Sequence, residues 1–325
     1  MAEKFHILVT RRIPNAALNI LKERCHVEQW DNDDVMPSKQ LVEGVKGKDG
    51  IFCLLTDKID ANLLDIAGKQ LQVVSTMSVG VDHIDLAACK ERAIKVGYTP
   101  NILTSATAEL TVGLLLATSR RIVEGVQAVK EGTWGTWKGL WMCGPTLEDS
   151  TVGFFGLGRI GQTVIERLRP FGVKSFIFKT SNKKTKEFED IIQARGVGFE
   201  ELLQKSDFLI SCCALTPATT HIFNKVAFQK MKSTSIFINI ARGGVVQQDD
   251  LIEALQKKEI RAAGIDVTTP EPLPVDSPLL KLDNCVVTPH IGSATETTRT
   301  NMAVLAANNL INGLNDMEME APYML

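Results

Sequence analysis

The strongest constraint on the fold is a glycine-rich stretch, Thr151-Val-Gly-Phe-Phe-Gly156-Leu-Gly158-Arg-Ile-Gly161. An apolar run predicted as a strand precedes the glycines, and a helical pattern over residues 160–170 follows them. In this context Gly156 permits a tight turn, Gly158 lets a pyrophosphate approach the backbone, and Gly161 lets the helix pack on the strand. The free N–H groups at the helix N-terminus attract phosphate. The stretch therefore predicts a dinucleotide site, with a glycine-rich turn that binds nothing as the alternative.

Short apolar runs alternate with amphipathic stretches along the whole chain. Helical patterns at 16–24, 160–170 and 250–258 separate runs rich in β-branched residues, which favours parallel sheets in an α/β fold. The predicted strands are residues 6–9, 50–55, 73–76, 151–156, 175–178, 208–211, 236–239, 262–266 and 285–288.

Two long helical patterns, residues 105–121 and about 295–312, divide the chain. The segment between them holds its own complete series of strands and helices. We therefore expect two doubly wound parallel-sheet domains. One would comprise residues 1–104 and 295–325, and the other, residues 105–294, would be inserted into it.

Composition excludes several classes of protein. Lys and Arg number 36 against 38 Asp and Glu, so the basic excess of a nucleic-acid binder is missing. The apolar runs are shorter than the roughly 18 residues needed to span a bilayer, and the first residues do not resemble a signal peptide. The seven cysteines are scattered without a CxxC spacing, which argues against a disulfide framework or a metal site. We expect a soluble, cytoplasmic protein.

The strand at residues 175–178 is followed by a basic segment, Lys179-Thr-Ser181-Asn182-Lys183-Lys184-Thr-Lys186. NAD-binding units place an acidic residue near this point to hold the ribose 2′-OH, but here the next carboxylate is Glu187. Because Ser181, Asn182, Lys183 and Lys184 would attract a 2′-phosphate, we expect NADP(H), with NAD as a weaker substitute. The alternative is a lysine-rich turn that is only solvated.

Polar residues follow three further predicted strands. Arg242 is followed by two glycines, Glu271 stands between two prolines, and His290 follows Pro289. Taken singly, each also fits an ordinary turn or loop. Together they follow the C-terminal strand ends of the sheet that carries the glycine loop, which is where open α/β sheets bind ligands. His83, in the other domain, is interpreted as a turn or helix-start residue.

The glycine loop is followed, in order, by Asn239-Ile-Ala-Arg-Gly243, Asp266-Val-x-x-x-Glu-Pro272 and Pro289-His-Ile-Gly-Ser-Ala-Thr295. This combination resembles the D-isomer-specific 2-hydroxyacid dehydrogenases over essentially the whole chain. Further stretches, at residues 7–14, Leu273-Pro274 and 306–310, are similar to the branch that reduces glyoxylate and hydroxypyruvate. The resemblance implies a Rossmann coenzyme domain inserted into a flavodoxin-like substrate domain.

The resemblance also implies roles for individual residues. His290 would be the general acid, Glu271 its hydrogen-bonded partner, and Arg242 a ligand of the 2-keto acid. The substrate carboxylate would bind to backbone N–H groups of Val79 and Gly80, with Ser293 nearby. Residues implied to contact the cofactor, besides those named above, are Arg159, Ile160, Ala214, Ile240, Asp266 (toward the nicotinamide carboxamide) and Gly292. The expected reaction is NADPH-dependent reduction of hydroxypyruvate to D-glycerate and of glyoxylate to glycolate.

Three of the four tryptophans lie in one short segment, residues 132–141. A core-packed loop is one interpretation. The resemblance favours a dimerisation arm that brings Trp141 to the neighbouring subunit's active site, and hence a homodimer.

Three other functions fit parts of the sequence. A D-3-phosphoglycerate dehydrogenase commonly extends into a C-terminal regulatory region, whereas this sequence stops soon after its second long helix. Formate dehydrogenases have Gln where Glu271 stands. A dinucleotide-sensing protein similar to the family's corepressors could keep the same residues and act by recruiting partners. The complete Arg–Glu–His set favours an enzyme.

Overall fold

The computed structural model describes residues 4–325. They form two compact units: the described residues up to Leu103 together with Ser293–Leu325, and Thr104–Gly292. These boundaries lie within two residues of those expected from the helical patterns.

Twelve strands are present in the described residues. In chain order they are β1 His6–Val9, β2 His26–Gln29, β3 Gly50–Cys53, β4 Val73–Thr76, β5 Lys95–Gly97, β6 Thr151–Phe155, β7 Ser175–Lys179, β8 Ala194–Gly196, β9 Phe208–Ser211, β10 Ile236–Asn239, β11 Ala262–Ile265 and β12 Cys285–Val287.

Twelve α-helices and three short 3₁₀ helices connect the strands in the part of the chain that is described. The α-helices are α1 Asn15–Arg24, α2 Ser38–Gly44, α3 Ala61–Ala67, α4 Leu86–Glu91, α5 Thr104–Ser119, α6 Ile122–Lys130, α7 Arg159–Leu168, α8 Lys186–Ile192, α9 Phe199–Lys205, α10 Lys225–Lys230, α11 Gln248–Gln256 and α12 Glu296–Leu314. The 3₁₀ helices are Arg169–Phe171, Gly243–Val245 and Pro278–Lys281.

The first unit is built on a five-stranded parallel sheet in the order β2-β1-β3-β4-β5. This is the flavodoxin-like order. Its central strands β3 and β4 are buried at every position, because helices cover both faces of a parallel sheet. Helix α12 contributes Leu310 and Leu314 to this core.

The second unit contains a seven-stranded parallel sheet in the order β12-β11-β10-β9-β6-β7-β8. The first six of these strands along the chain follow the Rossmann order, and β12 adds a seventh at the edge. Strand β6 pairs with β7 on one side and β9 on the other, so the direction of winding reverses at the end of β6. The glycine loop leaves the sheet at this switch point. The expected fold class is confirmed for both units.

Some predicted boundaries need correction. Residues 105–121 do not form one helix, because α5 ends at Ser119 and Arg121 has a left-handed backbone conformation before α6 begins. Three strands, β2, β5 and β8, were missed. The start of α12 agrees with the sequence interpretation: the Thr295 hydroxyl accepts a hydrogen bond from the Thr298 N–H at 3.1 Å and caps the helix.

Within residues 4–325, none of the helices combines the length and the apolar character that crossing a membrane requires.

Candidate active site

Three polar residues follow three adjacent strands of the seven-stranded sheet. Arg242 comes after β10, Asp266 directly follows β11, and His290 comes after β12. Because the strands are parallel, their C-terminal ends lie along one edge, and the glycine loop after β6 leaves the same edge. Ligands bind at this edge in open α/β sheets.

His290 and Glu271 are directly paired. The imidazole Nδ1 lies 2.8 Å from Glu271 Oε2, and both side chains are about three-quarters buried, with exposed fractions of 26% and 28%. The other carboxylate oxygen, Oε1, accepts a hydrogen bond from the Thr268 N–H at 3.0 Å. Since an ionised carboxylate only accepts hydrogen bonds, Nδ1 carries the donated proton. Nε2 is then the ring nitrogen available to a substrate.

The pKa of Glu271 is set by opposing effects. Burial raises it, but the hydrogen bond and charge of His290, the Thr268 N–H and the charge of Arg242 together lower it below its usual value. Glu271 is therefore a carboxylate at neutral pH. This is the charge state that a partner of a protonated histidine requires.

Asp266 holds the backbone that carries His290. His290 has a left-handed backbone conformation (φ +52°), and its N–H donates to the Asp266 carbonyl oxygen at 2.9 Å. The Asp266 carboxylate accepts the Thr288 hydroxyl at 2.6 Å, the Ile291 N–H at 2.9 Å and the Gly292 N–H at 2.8 Å. With 2% of its surface exposed, Asp266 fixes the turn around the histidine.

Sequence reasoning missed this role of Asp266, and the predicted contact to a nicotinamide carboxamide stays a prediction. Burial raises the pKa of Asp266, although the hydrogen bonds and the charge of His290 act in the opposite direction. An acidic residue at the end of a buried strand was the available signal.

The turn carrying Arg242 is held by a second buried residue that sequence reasoning missed, Asn239. Its side-chain oxygen accepts the Ala241 N–H at 3.1 Å, and its amide donates to the Arg242 carbonyl at 3.1 Å. The Arg242 guanidinium donates to the Ala241 carbonyl at 2.8 Å and is half-buried. Asn239 thereby fixes the position from which Arg242 extends.

The glycine loop fits a dinucleotide pyrophosphate. No side chain caps α7 at Gly158, and the first helical bond runs from the Gln162 N–H to the Gly158 carbonyl. Within the described residues, the N–H groups of Arg159, Ile160 and Gly161 therefore have no acceptor. A Cβ added at Gly158 would meet nothing within 4 Å, so the loop has room for a phosphate against its backbone.

Gly156 is required for a different reason. Its φ of +92° is unfavourable for other residues, and an added Cβ would lie 2.8 Å from the Cys213 backbone. Gly161 packs against Cys212, whose sulfur would lie 3.0 Å from an added Cβ. The three glycines thus separate into two that shape the loop and one that leaves open space.

The predicted 2′-phosphate segment follows β7 on the surface. Ser181, Asn182 and Lys183 are exposed, and the Lys184 amine lies 5.2 Å from the centre of the Phe188 ring. The segment is held by the Thr180 hydroxyl, which donates to the Asn182 carbonyl at 2.7 Å. Its exposed amines and hydroxyl fit an added phosphate and offer no carboxylate to a ribose 2′-OH.

Other predicted cofactor residues lie at the same edge of the sheet. Ala214 is exposed shortly after β9, Ile240 is buried directly after β10, and the buried Gly292 donates its N–H to Asp266.

Val79, Gly80 and Ser293 belong to the first unit, whereas the other predicted site residues belong to the second. Val79 and Gly80 lie in the loop after β4, and among the described residues nothing accepts a hydrogen bond from either N–H group. Ser293 is half-buried just before α12.

The tryptophan-rich segment is not core-packed. Trp134, Trp137 and Trp141 have exposed fractions of 63%, 86% and 37%. The interpretation as a core-packed loop is therefore wrong for this segment.

Comparison with known proteins agrees with the site. The family model described as D-isomer specific 2-hydroxyacid dehydrogenase, NAD binding domain, matches residues 112–292. The glyoxylate reductase/hydroxypyruvate reductase of Homo sapiens is 52% identical over 321 residues, which is 98% of each chain. A crystal structure from Thermus thermophilus is 40% identical, with a TM-score of 0.90 over 98% of this chain and 100% of that one.

A second solved structure carries ligands. The NADPH-dependent glyoxylate/hydroxypyruvate reductase of Sinorhizobium meliloti, in complex with NADP and malonate, is 29% identical, with a TM-score of 0.86 over 99% of this chain and 97% of that one. The matched family model, the near full-length identity to relatives and the shared fold agree. The chain belongs to the D-isomer specific 2-hydroxyacid dehydrogenase family.

Proposed function

We propose that this protein reduces small 2-keto acids with NADPH, converting hydroxypyruvate to D-glycerate and glyoxylate to glycolate. The observation that carries the proposal is the 2.8 Å pairing of His290 with Glu271 at the sheet edge from which the glycine loop also leaves. The names of the relatives above support the choice of substrates.

When bound, the dihydronicotinamide supplies a hydride to the keto carbon. His290 donates a proton from Nε2 to the carbonyl oxygen as negative charge builds there. Glu271 stabilises the protonated ring and fixes its orientation, because Nδ1 is committed to the carboxylate. Arg242 stabilises the developing oxyanion and orients the substrate through its planar guanidinium. Backbone N–H groups of Val79 and Gly80, with Ser293, receive the substrate carboxylate.

We assign the cofactor as NADPH rather than NADH. The support is the segment of Ser181, Asn182, Lys183 and Lys184 after β7, where NAD-binding units carry an acidic residue. The first three of these residues are exposed. Within the second unit, the N–H groups of Arg159 and Ile160 would hold the pyrophosphate. Ala214, Ile240, Asp266 and Gly292 would contact other parts of the cofactor.

We also propose a cytosolic homodimer. The exposed tryptophans of residues 132–141 adjoin α6, whose Ile122, Val126 and Val129 are also exposed. Exposed apolar surface of this extent is typical of an interface between proteins. In the dimer, Trp141 reaches the neighbouring subunit's active site.

All seven cysteines are free, which fits a reducing compartment such as the cytosol.

The test is the initial rate of NADPH and of NADH oxidation by purified protein with hydroxypyruvate, glyoxylate and pyruvate. Fast NADPH oxidation with the first two is expected. A preference for NADH would leave the assignment as a reductase unchanged, but it would show that the lysine segment is only a solvated turn. If neither cofactor is oxidised, the reductase is wrong and a dinucleotide-sensing protein becomes the better explanation.

A further inference from the structure

The end of β4 and the loop after it contain three polar side chains, two of them buried, that the proposed reaction does not use. Thr76 ends the strand, Ser78 follows it, and His83 lies in the turn before α4. Thr76 is fully buried, and Ser78 has 3% of its surface exposed. Burial of hydroxyl groups costs free energy unless their hydrogen bonds are made, so a connected set at this place has a structural reason.

The side chains form one continuous chain of hydrogen bonds. His83 Nε2 lies 3.0 Å from the Thr76 hydroxyl oxygen, which lies 2.9 Å from the Ser78 hydroxyl oxygen. The Ser78 hydroxyl in turn lies 2.6 Å from the carbonyl oxygen of Gly80. The chain thus ends on the backbone of the loop that carries Val79 and Gly80.

Counting protons fixes the direction of every bond. The Gly80 carbonyl can only accept, so the single Ser78 proton goes to it. Thr76 must then donate its own proton to Ser78, which leaves the Thr76 oxygen to accept from His83. His83 therefore carries a proton on Nε2, a condition met by one neutral tautomer and by the imidazolium alike. The direction of the chain does not depend on the charge of His83.

This chain of hydrogen bonds determines which backbone groups the loop presents to a ligand. Glycine tolerates many backbone conformations, so the peptide after Gly80 needs a partner to hold its orientation. The Ser78 hydroxyl holds the Gly80 carbonyl oxygen toward buried side chains. A flipped peptide would turn that oxygen outward, where it would repel an anion. With the carbonyl held, the N–H groups of Val79 and Gly80 are available to bind an anion.

We propose that His83, Thr76 and Ser78 are positioning residues that order the Val79–Gly80 loop for the carboxylate of the substrate. The proposal rests on the proposed function for the identity of the substrate, a 2-keto acid. It assigns these three side chains to substrate affinity and not to hydride transfer. Hydrogen bonds in series polarise and strengthen one another, so removing one member weakens the others.

The test compares Ser78→Ala, Thr76→Val and the conservative Thr76→Ser by steady-state kinetics. Ser78→Ala should raise KM for glyoxylate and hydroxypyruvate about 10-fold, the scale of one lost hydrogen bond to an anion-binding loop. The value of kcat and the KM for NADPH should stay within about 2- to 3-fold, because uniform binding affects KM alone. Thr76→Val should raise the same KM by a smaller factor, and Thr76→Ser should restore the wild-type value.

Thr99→Val is the matched control. Thr99 is fully buried next to these hydrogen-bonded side chains, and its N–H donates to the Ser78 carbonyl at 2.8 Å. Its hydroxyl has no hydrogen-bond partner in the described residues. Valine keeps the backbone bond and the volume, so KM should not change. The double variant Thr76→Val/Ser78→Ala should match Ser78→Ala alone, since residues acting in series are not additive.

Equal losses in kcat and in NADPH affinity, additive effects in the double variant, or an unchanged KM in Ser78→Ala would each overturn the proposal. If Ser78→Ala does not fold, the Thr76→Val and Thr76→Ser pair carries the same comparison. Calorimetric titration with oxamate, a carboxylate that resembles the substrate, separates the two proposals. Absence of turnover in the wild type would overturn the proposed reductase activity. Unchanged oxamate affinity in Ser78→Ala would overturn the proposed positioning role of Ser78.

Discussion

The His290 imidazole is bound to Glu271 through Nδ1 at 2.8 Å, and Glu271 is itself held by the Thr268 N–H. The histidine therefore has one ring nitrogen fixed and the other available. This is the arrangement of an acid that must deliver its proton in one direction.

Replacing His290 with Ala should lower kcat for keto-acid reduction by about 10²- to 10⁴-fold, the usual contribution of a general acid. NADPH affinity, measured by the change in nucleotide fluorescence on binding, should be retained because the glycine loop is untouched. Unchanged turnover would remove His290 from the proton transfer.

Glu271→Gln keeps the shape of the side chain and removes its charge. The neutral amide stabilises positive charge on the ring less than the carboxylate does, so kcat for keto-acid reduction at neutral pH should fall about 10- to 100-fold. The exposed Glu318→Gln serves as the control, and an unchanged kcat in Glu271→Gln would argue against the pairing.

Glu271 also contributes to stability in a pH-dependent way. Its folded-state pKa lies below the usual 4.5, so its ionised form stabilises the folded protein above that pH. The contribution is lost as the pH falls through the folded-state pKa. Thermal unfolding followed between pH 3 and 6 should show a steeper acid loss of Tm in wild type than in Glu271→Gln.

Asp266→Asn should behave in the opposite sense. The folded-state pKa of Asp266 is raised above 3.8, so the folded protein holds this proton more tightly than the unfolded chain. Its contribution to the free energy of unfolding is therefore largest at low pH and declines as the pH rises through the folded-state pKa.

The Tm of wild type minus that of Asp266→Asn should accordingly fall between pH 3.5 and 6. The amide also presents N–H groups to backbone donors, which should disturb the His290 turn and lower kcat about 10-fold or more. A Tm difference that grows with pH would contradict the assignment.

Lys183 and Lys186 form a matched pair for cofactor choice. Lys183 is exposed in the segment expected to meet the 2′-phosphate, whereas the Lys186 amine lies 2.6 Å from Asp190 one helical turn away. Lys183→Ala should raise KM for NADPH about 10- to 100-fold, the scale of a charged hydrogen bond, and leave KM for NADH unchanged. Lys186→Ala should change neither. Equal effects on both cofactors would show that Lys183 does not meet the phosphate.

Alanine substitutions at Gly158 and Gly156 should have different effects, the first on NADPH binding and the second on the stability of the fold. A methyl group at Gly158 meets no atom within 4 Å, so Gly158→Ala should keep the wild-type Tm while weakening NADPH binding at least about 10-fold, since the added carbon takes the place of a phosphate. At Gly156, the positive φ and the Cys213 backbone oppose any side chain, so Gly156→Ala should lower the Tm, with a cost of about 1–3 kcal/mol. Calorimetric unfolding with and without NADPH distinguishes the two. A destabilised Gly158→Ala would show that the space above it is not reserved for a ligand.

The strands predicted with the correct bounds, β1, β4, β9 and β10, are interior strands that each contain consecutive apolar residues. The missed strands β2, β5 and β8 all lie at sheet edges. An edge strand is covered on fewer sides and carries polar residues, as the alternating His26-Val-Glu-Gln29 does. Its position is decided by pairing with a neighbour, which the local sequence does not express.

The site divides in the same way. The sequence indicates Arg242, Glu271 and His290 as candidates because a motif records residue types in order. Other parts of the site depend on hydrogen bonds between residues apart in sequence, or on the direction of a side chain. These are the turn of His290 held by Asp266, the turn of Arg242 held by Asn239, and the hydrogen bonds that connect His83 to Gly80. His83 was interpreted only as a turn residue, since nothing adjacent to it indicates Thr76 as a partner.

The segment after β7 differs from the rest of the candidate site because its side chains lie on the surface and contribute little to the packed core. Lys183 and Ser181 are exposed. In contrast, the Gly156 backbone lies against that of Cys213, and the buried Asp266 accepts the Gly292 N–H. A lineage could therefore exchange one dinucleotide for the other by substitutions at this strand end alone, without passing through unfolded intermediates. On the proposed function, cofactor preference is the property most open to evolution and to redesign, and proton transfer by His290 is the least.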